Sequence, residues 1–119
     1  MKRKPEDIIT LKAIIDTEAC KYQKLRIHNI SCIMVGNYIK VTGHISADNH
    51  IWDSPQIIVT IEGENRKIID SRASTAYFCN KHGIFDIRIH TSDVIEFCGG
   101  TTKNIHAIGI MPLLKTASF

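Results

Sequence analysis

Tryptophan occurs once in this chain of 119 residues, proline three times, and aromatic residues make up 7%. So few aromatics weigh against a single-strand nucleic-acid binder, which stacks bases on aromatic side chains in a basic groove. No apolar run approaches the roughly 18 residues of a membrane-spanning helix. A nucleophile elbow, a phosphate-loop lysine motif and a His-Glu-x-x-His pair are also missing, so catalysis finds no constellation to build on. Valine is scarce beside isoleucine, four against 22; packing does not demand that ratio, and no mechanism follows from it.

Charge is missing where a nucleic-acid binder would carry it. Residues 1–28 hold seven basic and four acidic groups, whereas residues 29–119 hold eight of each. The net +3 therefore belongs to the N-terminal segment, and nucleic acid is not an expected partner. Met-Lys-Arg-Lys imitates the basic start of a signal peptide, but Glu6, Asp7, Lys12 and Asp16 break the apolar stretch that should follow. Thr17-Glu18-Ala19-Cys20 fails as a lipoprotein cleavage site for the same reason. The expected localisation is cytoplasmic by default, with no membrane span.

What the chain does have is alternation. In Tyr38–Ser46, residues Ile39, Val41, Gly43 and Ile45 fall on one side and polar residues on the other. Gln56–Glu62 and Ile84–His90 alternate likewise, and Val94–Phe97 less regularly. Strand side chains turn over every residue, so each segment has one buried and one wet face. The core read from this phase is Ile39, Val41, Ile45, Val59, Ile61, Phe85, Ile87 and Ile89.

Further strands are expected over 24–28, 30–35, 67–72, 75–79 and 105–111, with Pro112 ending the last. Turns are marked by Gly36-Asn37, Glu62–Asn65, Asn80–Gly83, Thr91–Asp93 and Gly99–Thr102. Ala47–Pro55 reads as a crossing between sheets. Pro5-Glu6-Asp7 is a helix-start signature, and Ile8, Leu11, Ile15, Ala19 and Tyr22 recur at helical spacing. A basic helix over 1–23, preceding a β domain over 24–119, is one reading. Two strands are the rival, because Ile8-Ile9 and Ile14-Ile15 are β-branched pairs. The fold expected is all-β: a two-sheet antiparallel β-sandwich with an N-terminal α-helix.

Tyr38–Ser46, Pro55–Glu62, Gly83–Ile89, Ile95–Phe97 and Ile105–Pro112 follow one another in a rhythm that resembles small bacterial β-sandwich domains. The immunoglobulin-like FxLYD type and the jelly-roll carbohydrate-binding modules both share it. That resemblance implies a recognition function. The namesake Leu-Tyr-Asp is absent, since the strand reads Phe85-Asp86-Ile87-Arg88, and no functional residue carries over.

Candidate sites are few. Trp52, flanked by His50 and Asp53 in the crossing, is either a binding aromatic or a lid on the core, and Ile51 beside it favours the lid. Tyr38 and Tyr77 would extend a platform. Ile8, Leu11 and Ile15 would form the docking stripe of the helix, toward this chain or a second subunit. Cys79-x-x-His82 is half a zinc motif with no matching second pair, so no metal or other cofactor is expected. Cys79 and Cys98 sit at strand ends where a disulfide is geometrically open, although a reduced pair fits a chain without a secretion signal. Cys98–Lys103 imitates a phosphate cradle but opens a strand rather than a helix. The function expected is a non-catalytic recognition module for a protein partner or itself, with a glycan as a further ligand class. The alternative is an oligonucleotide-binding barrel, whose rhythm Val41–Ile45, Glu62–Lys67 and Ser92–Gly99 also fit.

Overall fold

The computed structural model describes residues 8–95 and 104–114. Along the chain run β1 (Ile8–Thr10), β2 (Lys12–Ile15), α1 (Thr17–Gln23), β3 (Leu25–Val35), β4 (Tyr38–Ala47) and β5 (Gln56–Glu62). A 3₁₀ turn (Glu64–Arg66) leads to β6 (Ile68–Thr75), β7 (Tyr77–Cys79), β8 (His82–His90), α2 (Ser92–Ile95) and β9 (Ala107–Leu113). The first sheet has the order β1-β3-β4-β8-β7 and the second β2-β9-β5-β6. The fold is all-β in two sheets that share one core. Among the described residues, nine strands are divided five and four between these sheets.

All eight residues assigned to the core by alternation are buried. Pairing explains their phase. Val41 lies opposite Ile87, Ile39 opposite Ile89, and Gly43 opposite Phe85. Gly43 carries no side chain for a physical reason: a Cβ there would meet Ile30 Cδ1 and Phe85 Cζ, each at 2.6 Å. The second sheet contributes Ile57, Val59 and Ile61 from β5, with Ile108 and Ile110 from β9. Ala47–Pro55 does cross between sheets, since β4 and β5 belong to different ones. Gly36, at φ 56°, occupies the first turn position between β3 and β4, where a two-residue hairpin tolerates glycine best.

The N-terminal segment overturns the helix reading. Residues 8–15 form two short strands, and only Thr17–Gln23 is helical. β1 pairs antiparallel with β3 in the first sheet, and the chain then changes sheets at Leu11. Leu11 is buried, and its N–H donates to the Cys32 carbonyl at 2.8 Å. β2 runs parallel to β9, so the sandwich is not wholly antiparallel. A parallel pair needs a long connection, and here nearly the whole chain lies between the partners. The helix starts where Asp16 caps it, accepting from the Ala19 N–H at 3.0 Å. It ends at Lys24, in a left-handed conformation.

Other boundaries differ too. The two strands expected over 24–28 and 30–35 are one, Leu25–Val35, irregular between His28 and Ser31, where Asn29 has φ 54°. Val94 belongs to the helical turn α2 rather than a strand, with Val94 itself fully buried. Pro112 does not stop β9, which runs on to Leu113. Proline is tolerated because β2 has already ended opposite Ile110, leaving no partner on that edge to receive an N–H. Gln23 takes the place of that partner: its amide donates to the Pro112 carbonyl at 2.7 Å and accepts from the Leu114 N–H at 2.7 Å. The turn expected at Gly99–Thr102, and Cys98, lie outside the described residues.

Candidate recognition surface

The outward face of the first sheet is arranged in rows by register. His28 pairs with His44, His44 with Ile84, and Ile84 with Tyr77, so four strands contribute to one outward line. The next row places Arg26, Ser46, His82 and Cys79 together. A groove of about 350 Å³ lies among His28, His44, Tyr77, His82 and Ile84, with no carboxylate in its lining. Tyr77 is 76% exposed and Ile84 53%. His28 and His44 meet edge to face, ring centres 5.6 Å apart. His44 Nδ1 is 2.9 Å from Asn29 Nδ2, and the Asn29 amide donates if that nitrogen is unprotonated. The left-handed backbone at Asn29 is thus held beside the histidines it serves.

Trp52 does not lid the core. It is 90% exposed, and Ile51 packs against the core in its place. The short crossing explains this: Ile51 N–H donates to the Asn80 carbonyl at 3.3 Å, which turns Ile51 inward and leaves its neighbour in water. His50 stacks at a tilt on Trp52, ring centres 4.4 Å apart. Asp53 is exposed in the same loop. The bond to Asn80 sets the loop beside the β7–β8 turn, next to the row that ends in Cys79. A second depression of about 720 Å³, lined by Ser54, Tyr77, Phe78 and His82 among others, shares Tyr77 and His82 with the first.

Tyr38 is not part of this end. It starts β4, six residues from His44, which at strand rise is about 20 Å away. There it packs edge-on against His90, ring centres 4.7 Å apart. The Ile8, Leu11 and Ile15 stripe does not exist as a face. Ile8 is exposed on β1, Leu11 is in the core, and Ile15 is half-buried on β2 in the other sheet. Helical spacing placed them together; the sheet switch at Leu11 separates them.

Chemically this end offers imidazoles, a phenol, an indole and aliphatic surface. Among the described residues no three His, Cys, Asp or Glu side chains gather as metal ligands. Cys79 and His82 face each other across β7 and β8. The remaining described thiols are hidden: burial pushes Cys32 up to about 11, and burial followed by the Asp16 charge raises Cys20. The histidine row was not legible beforehand. Outward phase is visible for each strand alone, but the register that aligns His28 with His44 depends on the irregularity at Asn29. No protein-family model, no curated protein and no solved structure matches this chain.

Proposed function

We propose that this chain is a non-catalytic recognition module whose binding face is the β7 end of the first sheet. A protein partner is the ligand class, with a second copy of the chain as its first candidate. One observation carries the reading: Tyr77 and Ile84 stand exposed at a groove whose lining holds no carboxylate, and Trp52 is exposed in the crossing whose Ile51 is hydrogen-bonded to Asn80 of the β7–β8 turn. Exposed aromatics of this kind anchor interfaces, because they bury much area at small entropic cost. The balanced charge of residues 29–119 removes the repulsion that would keep copies apart. The sandwich reading supports a module of this kind; its subclass is a separate matter.

A glycan is the second reading, supported by the free indole face of Trp52 with His50 beside it. Trp52 is the only tryptophan, so its fluorescence reports on this end alone. Dilute protein should emit as a fully hydrated indole, quenched by iodide. Raising the protein concentration should shift the emission blue and protect it if copies associate; a saccharide should do so at low protein concentration if a glycan is bound. An emission unchanged under both conditions, or steady turnover of a substrate, would contradict the proposal.

A further inference from the structure

On the outward face of the second sheet lies a buried carboxylate. Glu62 closes β5, and although it points away from the core it is only 4% exposed. Gly109 on β9 makes that possible: a Cβ at Gly109 would meet Glu62 Oε2 at 2.6 Å. The carboxylate therefore lies over bare glycine backbone. Arg66 covers it, its Nε donating to Oε1 at 3.0 Å, while the rest of the Arg66 side chain stays exposed. Arg66 reaches this position from an unfavourable backbone. Asn65 and Arg66 are both left-handed, at φ 55° and 61°, and successive non-glycine residues adopt that region only at a cost. The Arg66 guanidinium is held above its ordinary pKa, first by the hydrogen bond to Glu62, then by its charge, and also by Asp16.

The pair sits in a pocket of about 430 Å³ with Ile14, Ile58, Ile68 and Met111 as apolar walls. Its ionisable lining is Asp16, Glu62 and Arg66, one negative charge in excess. An ion pair whose cation stands largely in water adds little stability. Ligand pockets, by contrast, combine apolar walls with a few polar groups that fix orientation. We propose that this pocket binds an alkylguanidinium or alkylammonium group, with Glu62 as its counter-charge and Arg66 as a displaceable internal occupant. The walls take the aliphatic stem and the carboxylate takes the head. Arg66 swings out into water on its exposed turn. The site is on the opposite sheet from the recognition face and stands independently of it.

The test uses agmatine, followed by calorimetry and by thermal shift. Arg66→Met removes the charged occupant and keeps an unbranched stem. Agmatine should bind this variant about tenfold or more tighter than the parent, and raise its melting temperature saturably. Adding Glu62→Gln should erase that binding. Should the double variant fail to fold, Gly109→Ala in the Arg66→Met background serves instead. Its methyl displaces the carboxylate without changing charge and should weaken binding about tenfold. An acetylated arginine amide run in parallel separates a peptide side chain from a free amine; saturable binding of either probe supports the proposal and names the source. No saturable binding of either probe to Arg66→Met, or equal agmatine binding with and without Glu62, overturns it.

Discussion

Phe85 reaches across to the bare backbone of Gly43, and that single pair shows how residues set this fold. Truncating Phe85 to alanine removes the ring that fills the gap and should cost about 3–5 kcal/mol. Arg88→Ala, three residues along on the wet face, should stay within about 0.5 kcal/mol of the parent. Urea unfolding of both variants checks the phase of β8, since a register shifted by one would exchange the two results. Cys32 gives a pH prediction at the same scale. Burial raises its folded pKa from 9.0 to about 11. Above about 9 the unfolded thiol ionises first, so this contribution is complete below that pH and is lost as pH climbs toward 11. Urea midpoints across that window should fall more steeply in the parent than in Cys32→Ala. Equal slopes would mean that water reaches the thiol.

Elements were legible where one residue period left no rival. Tyr38–Ser46 and Ile84–His90 alternate over whole strands, and both are strands with the expected faces. The segment 8–23 was ambiguous for a physical reason. Ile8, Leu11 and Ile15 fit helical spacing, yet the same residues are β-branched or apolar enough to cover two open sheet edges. Local pattern carries no information about which edges are open, and tertiary pairing decided. Val94 was misread because four residues are too few to separate a strand from one helical turn. Within the candidate surface, the exposed aromatics were legible as residue types. The inward turn of Ile51 that frees Trp52 was not, since it rests on a backbone bond to the distant Asn80. α1 offers a test of how the N-terminal segment is fastened. Gln23 binds both Pro112 and Leu114 of the β9 end through one amide. Gln23→Ala leaves those backbone groups without that partner and should cost about 1–3 kcal/mol. Amide exchange should quicken in α1 and at the end of β9 together. Faster exchange in α1 alone would show that the clamp is not what couples them.

At the scale of the whole molecule, the two sheets differ in what they leave outside. The first sheet presents imidazoles and exposed apolar groups at its β7 end. The second ends at β6, where Asp70 and Arg72 pair at 2.9 Å on the strand's core-facing side. Inward charge on an edge strand discourages further strand pairing, so association through that edge is disfavoured. Replacing both residues with valine should therefore promote aggregation, seen as light scattering on gentle heating, while the native pair keeps the chain clear. The central claim is that copies of this chain meet at the β7 end, and sedimentation velocity tests it most directly. The parent should show a mass that grows with concentration, and the Tyr77→Ser, Ile84→Ser double variant, equally folded by circular dichroism, should stay at 13.4 kDa throughout, apart from the small change from substitution. A parent that remains at that mass at every concentration, or a variant that associates as the parent does, would contradict the account.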